Sequence, residues 1–174
     1  MADDRIGHLI KLPMDTIKET VDAEPKVPCT EEEVMSVLHD LCCAVDDESY
    51  ISPTPTLDNP ALSDDYIFDN EDEKLVLKDL TKLNFVGKIK DVGKGAKKRL
   101  EKGLSQEYLY VFKYPCKLAR RDVQESGINL DNVLIYIKIN DRKIPNKKVF
   151  IVSFHKNRHQ NNNINKIKRI ENKS

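Results

Sequence analysis

Between Asn132 and Lys156 the chain reads NVLIYIKINDRKIPNKKVFIVSFHK, two apolar runs split by a polar connector. In the first run Val133, Ile135, Ile137 and Ile139 alternate with Leu134, Tyr136 and Lys138, the period of two that marks a half-buried strand. The second, residues 148 to 155, is apolar on both faces until Ser153 and His155, which suits a place near the middle of a sheet. Asp141, Pro145 and Asn146 in the connector are turn formers, so the runs are expected to pair as an antiparallel hairpin. Upstream, QEYLYVFKYP sets Tyr108, Tyr110, Phe112 and Tyr114 on one face of a strand and Leu109, Val111 and Lys113 on the other, with Pro115 expected to close it. That aromatic face has two readings: a core layer against helices, or a platform on which unpaired bases stack. Phe85, Val86 and Ile89 form a further short strand.

Helical spacing appears elsewhere. Thr30 opens TEEE, a capping box in which its hydroxyl accepts from the third helical amide while Glu33 reaches back. Three early glutamates suit the positive end of the helix dipole, and Val34, Val37, Leu38, Leu41, Cys42 and Val45 then make one apolar stripe. Asn70 is expected to cap a second helix with Glu71, Asp72 and Glu73 in its first turn and Leu75, Val76 and Leu80 behind. A third spans Ala96 to Lys102 and stops at Gly103, and a short basic fourth spans Cys116 to Ser126 with Gly127 as its stop. Residues 1 to 28, with Pro13, Pro25 and Pro28, offer only a short amphipathic turn at Ile6 to Leu12. Residues 46 to 73 are acidic and broken by Pro53, Pro55 and Pro60, which predicts a linker or wrapped loop with Tyr66, Ile67 and Phe68 as its anchor. The fold class expected is α+β: a helical acidic N-terminal region, then a small antiparallel-sheet domain of three or four strands with flanking helices. The divisions fall at 1–73, an acidic helical and linker region; 74–157, a basic α+β domain; and 158–174, a basic low-complexity tail.

Composition sharpens this division. The formal net charge is zero, yet residues 1 to 80 hold 21 Asp or Glu against 6 Lys or Arg, and residues 81 to 174 hold 8 against 23. An acidic half joined to a basic half points to nucleic acid as a partner for the basic part, with the acidic part a mask or a protein-binding arm. The competing explanation is two solvated surfaces that attract each other within one fold. At 174 residues, with no run approaching the roughly 18 apolar residues of a membrane helix and no secretory pattern at the start, the expectation is a cytoplasmic protein that makes no membrane contact. Cys29, Cys42, Cys43 and Cys116 have no framework spacing, so reduced thiols are expected. A zinc set would have to join Cys42 or Cys43 to His155 and His159 without any CxxC, and no cofactor is expected.

The candidate chemistry lies in the basic half. GKGAKK lacks both the spacing and the Ser or Thr of a phosphate-binding NTPase loop, which argues against nucleotide hydrolysis. A basic, glycine-containing loop running into a helix still suits nucleic-acid phosphate, and Lys94, Lys97, Lys98 and Arg99 are the candidates there. Lys113, Arg120 and Arg121 join them, the arginines because guanidinium matches phosphate oxygens with a two-pronged geometry; a salt bridge to the acidic half explains that pair equally well. Tyr136, Lys138, Ser153 and His155 are the catalytic candidates: on the hairpin they can bring a base, a cation and hydroxyls together, the groups that a metal-independent ribonuclease needs. Histidine is suited to proton exchange near neutral pH.

Over roughly residues 75 to 156, a basic surface and the closing pattern of strand, polar turn and strand, after a helical N-terminal part, resemble the small barnase-like and RelE-like toxin ribonucleases of bacteria and phages. The resemblance implies an antiparallel sheet, RNA more than DNA as partner, and metal-free cleavage, with the acid-rich half as an appendage. The alternative expectation is a non-catalytic nucleic-acid or protein interaction module with an acidic masking arm.

Overall fold

The computed structural model describes residues 7–16, 25–57, 60–122, 129–142 and 149–156. Its elements, in order, are β1 (Leu9–Lys11), α1 (Glu31–Asp46), β2 (Tyr50–Ile51), α2 (Asn70–Asp79), β3 (Phe85–Lys90), α3 (Lys94–Glu101), β4 (Tyr108–Ala119), β5 (Leu130–Asn140) and β6 (Val149–Lys156), with 3₁₀ turns at Leu62–Asp64 and Lys82–Asn84. The class is α+β. One sheet of six strands runs β1-β4-β5-β6-β2, and β3 pairs with β4. Every pairing is antiparallel except the short β2–β6 pair.

The hairpin expected from residues 133 to 155 is β5–β6, and the alternation read from the sequence sets its faces. Val133, Ile135, Ile137 and Ile139 point into one core with Tyr110, Phe112, Tyr114, Cys116 and Leu118 of β4. Leu38, Leu41, Ala44 and Val45 of α1 and Val76 and Leu77 of α2 lie in the same cluster, so both helices close one face of the sheet. The aromatic row of β4 is therefore a core layer; Phe112 and Tyr114 are completely buried, and no base can stack on them. Burial also pushes the Tyr114 phenol and the Cys116 thiol up, the thiol to about 12, so Cys116 stays protonated.

Several expectations are corrected. The sheet has six strands where three or four were expected. Pro115 does not end its strand: β4 continues to Ala119, so residues 116–119 are strand and not the start of a basic helix. The Pro115 carbonyl accepts from the Leu12 amide at 2.9 Å, so the proline's missing donor also faces that edge, in the gap between β3 and β1, and costs no bond to β5. Of the rest of the expected helix, residues 120–122 are not helical and 123–126 lie outside the described residues, as do the tail from 157 and the connector at 143–148. Leu9–Lys11 is a strand and not an amphipathic turn. The stretch expected to be a linker or wrapped loop contributes β2, and of its three expected anchors Tyr66 and Phe68 are buried while Ile67 is exposed. The second helix is capped by Asp69, one residue before Asn70, with Asp72 completing the box; the third begins at Lys94 behind Gly93. At α1 the Thr30 hydroxyl accepts from Glu33 N as expected, while the Glu33 carboxylate turns outward to Lys88.

One hydrophobic cluster takes residues from both sides of position 73, and β1 and β2 lie at the two edges of the sheet that β4, β5 and β6 build. No helix among the described residues is long and apolar enough to cross a membrane.

Candidate functional site

The face of the sheet turned away from α1 and α2 carries a smaller cluster, Ile89, Leu109 and Val111, with Val86, Tyr136 and Val152 beside it. Two cross-strand rows lie on that face. Lys113 of β4 sits opposite Tyr136 of β5, which sits opposite His155 of β6; one step along, Val111, Lys138 and Ser153 are aligned in the same way. The four catalytic candidates thus share one face, and Lys113 joins them.

A bulge makes this possible. Ile139 pairs with Ile151 and Lys138 with Ser153, which leaves Val152 as the extra residue in β6. In an unbroken strand Ile151, Ser153 and His155 would all point the same way, into the core. The bulge reverses the parity after Ile151. Phe154 turns inward, its ring 5.9 Å from that of Phe68, and Ser153 and His155 turn to the outer face.

The rings of Tyr136 and His155 are 5.9 Å apart. Two ammonium groups flank the phenol ring, Lys138 Nζ at 5.0 Å and Lys113 Nζ at 5.6 Å from its centre. His155 Nδ1 donates to the Lys156 carbonyl at 2.8 Å; since that oxygen only accepts, the basic nitrogen of the neutral ring is Nε2. Lys113 and His155 are buried, at 6% and 9% exposure, while Tyr136, Lys138 and Ser153 are half-buried. A cavity of about 110 Å³ separates Val152 to His155 from a proline strap, Pro53 to Thr56 with Pro60 and Ala61, so residues of the acidic half cover this flank. The arrangement offers a base, two hydroxyls and two cations within a few strand positions, the types needed to move a proton and to stabilise a developing anion.

The other basic candidates are dispersed. Arg99 forks onto Glu107, with Nη2 to Oε1 at 3.0 Å and a second contact from Nε, and holds that carboxyl below its usual range despite burial. Arg120 bonds Asp122 and Asp131, at 2.8 and 3.1 Å, in a network that continues from Asp131 to the Tyr66 hydroxyl and from there to Lys156. Arg121 donates to the Ser63 carbonyl and its amide to that of Asp65, so both arginines fasten the segment before α2 to the end of β4. Lys94, Lys97 and Lys98 stand exposed on α3. Among the described residues Cys42 and Cys43 do not meet His155, because α1 lies on the core side of the sheet and His155 on the other; His159 is outside the described residues.

Two groups escaped the sequence reading. Lys102 continues the line of Lys94 and Lys98 at intervals of four residues, a spacing that was there to be read. His8 Nε2 lies 2.6 Å from Asp72 Oδ1, beside a cavity of about 800 Å³ lined also by Asp46, Asp47, Glu48, Glu71, Lys74 and Lys78; a contact across 64 residues leaves no local signature. No family model matches this chain, and neither the curated proteins nor the solved structures provide a match.

Proposed function

We propose that the protein binds RNA and cleaves it without a metal at the outer sheet face. The observation that carries this reading is the pair of cross-strand rows, which brings His155, Tyr136, Lys138, Ser153 and Lys113 together across three strands. In the proposed reaction His155 Nε2 takes the proton of a ribose 2′-hydroxyl as that oxygen attacks the adjacent phosphorus. The bond from phosphorus to the 5′-oxygen breaks, and Tyr136 supplies the proton to the leaving oxygen. The products are a 2′,3′-cyclic phosphate and a free 5′-hydroxyl end. Lys113 and Lys138 stabilise the charge on the phosphoryl oxygens and Ser153 donates to one of them. A cavity of about 110 Å³ under the proline strap is too small for a nucleotide, since ligand pockets run to roughly 300–1,000 Å³, so substrate approaches over Tyr136 and Lys138.

The test is cleavage of bulk RNA in EDTA. The wild type is expected to cut, and His155→Ala is expected to lower the rate about 100-fold or more while RNA affinity stays within about threefold. A wild type that never cuts would remove the enzymatic part. The second reading, a nucleic-acid or protein interaction module without catalysis, is favoured by the burial of Lys113 and His155, as expected of side chains that stitch strands together. It predicts binding that weakens steeply with salt and no cleavage.

A further inference from the structure

The connection between β3 and β4, Asp91 to Glu107, is an arm that carries α3. Its base is fixed: Asp91 N donates to the Glu107 carbonyl at 2.9 Å, Asn140 Nδ2 to Asp91 Oδ2 at 2.7 Å, and Arg99 grips Glu107. Both ends of the helix are finished locally. Asp91 Oδ1 accepts from Gly93 N at the start; at the end Gly103 N bonds the Leu100 carbonyl and Leu104 N the Arg99 carbonyl, with Gly103 at φ +88°.

Ala96 is the buried residue of α3, and Arg99 on the same side bonds the body. The outward half then presents Lys94, Lys97, Lys98 and Lys102 with Glu101. Lys11, Lys74, Lys78, Lys82, Lys88, Arg99 and Arg120 all pair with carboxylates. Lys94, Lys97 and Lys98 of α3 and Lys102 at its C-cap are exposed and form no ion pair with any described residue. While those seven cations lie beside carboxylates, these four stand together as a cationic ridge on one fixed projection.

We infer that α3 holds the backbone of single-stranded RNA through Lys94, Lys97, Lys98 and Lys102 while the strand runs on toward Tyr136. This rests on the RNA-binding reading above. Lys94, Lys98 and Lys102 follow one another about 6 Å apart along the axis, four residues at 1.5 Å each, a separation comparable to that of successive phosphates in an extended strand. Lysine meets phosphate as a point charge, so the contact is indifferent to sequence. Asn140, bonded to the base of the arm, lies four residues from Tyr136 on β5, about 13 Å at strand pitch, more than a dinucleotide covers. A duplex cannot offer a splayed nucleotide to half-buried Tyr136 and Lys138, whereas a single strand can. Exposed Val92, Leu100 and Leu104 do not suggest a lipid surface, because Val92 and Leu104 lie off opposite ends of the helix and share no apolar face with Leu100.

The experiment compares the wild type with a quadruple Lys→Gln variant at these positions and a quadruple Lys→Arg control. Affinity is measured for a single-stranded RNA of about 20 nucleotides across a salt series, and for a dinucleotide, with thermal unfolding to confirm the fold. For the long strand the Gln variant is expected to lose affinity and about 3 units of slope in log K against log salt, near 0.7 for each phosphate contact; the Arg control keeps the slope and dinucleotide affinity does not change. If the wild type binds the long strand and the folded Gln variant shows the same slope, the inference is overturned and RNA binding stands. If the wild type binds no RNA at about 50 mM salt, both fall. An equal loss on the dinucleotide, or a loss seen only on phosphatidylserine vesicles, also overturns it.

Discussion

Asn84 shows how much a single buried polar side chain can hold. Its Oδ1 accepts from the Thr81 amide at 3.0 Å and its Nδ2 donates to the Lys113 carbonyl at 3.0 Å, so it ties the turn before β3 to β4 directly beneath the candidate site. At 2% exposure neither group has water as a substitute. Asn84→Asp replaces the donor with an oxygen facing another oxygen and is expected to cost about 2–4 kcal/mol, read from denaturant unfolding. A loss below about 0.5 kcal/mol would show that the turn can shift and find other partners. Lys88 illustrates a different balance: partial burial works against its charge, yet Glu33 and the Tyr110 hydroxyl hold its pKa above the usual lysine value. Glu33 falls below the carboxylate range, chiefly through its bond with Lys88, so this link between α1 and β3 stays ionised across the neutral range. None of these partners could be named from sequence, because a contact such as Asn84 with Lys113 depends on how the turn docks and not on local spacing.

At the scale of elements, the arm bearing α3 makes two predictions. An added Cβ at Gly103 would meet nothing within 4 Å, so Gly103→Ala costs only the left-handed backbone conformation, about 1 kcal/mol in equilibrium unfolding. Glu107 responds to pH. Its bond with Arg99 lowers its folded pKa, so the stability it contributes is fully present above the unfolded value near 4.3 and is lost as pH falls through the folded value. Glu107→Gln is accordingly expected to be less stable than the wild type by about 1–3 kcal/mol at neutral pH, the gap narrowing as pH falls below the unfolded value. A gap that stays constant with pH would refute that assignment. The strands were legible because alternation at Val133 to Ile139 and Tyr108 to Tyr114 is a local signal. The bulge at Val152 was not, since it is a property of the β5–β6 pairing and no glycine or proline marks it; the facing of His155 and Ser153 was legible only as a possibility. Pro115 misled because the rule that proline ends a strand assumes that a neighbour needs its donor, and here the gap between β3 and β1 removes the need.

For the whole molecule, the acidic and basic halves are partners in one sheet-and-helix packing: Glu31 of α1 meets Lys82 in the turn before β3, and Glu33 of α1 meets Lys88 of β3. The charge asymmetry read from composition is thus partly met by internal contacts, while the lysines on and beside α3 form an exposed ridge. Residues 75 to 174 expressed alone would lose α1, β1, β2 and the Tyr66 and Phe68 anchors, leaving Phe112, Tyr114, Ile135 and Ile137 without their cover. That fragment is expected to bind hydrophobic dyes and to lack a cooperative unfolding transition; sharp, two-state unfolding would show that the second half is autonomous. The parallel pairing of Tyr50 with Val149 has a further consequence, for biosynthesis. Tyr50 leaves the ribosome about a hundred residues before its neighbour exists, an interval of about 5–20 s at ordinary elongation rates, during which the sheet that covers the stripe of α1 is incomplete. Nascent chains stalled short of β6 should therefore be the species that recruit chaperones, and release of the last strand the event that frees them.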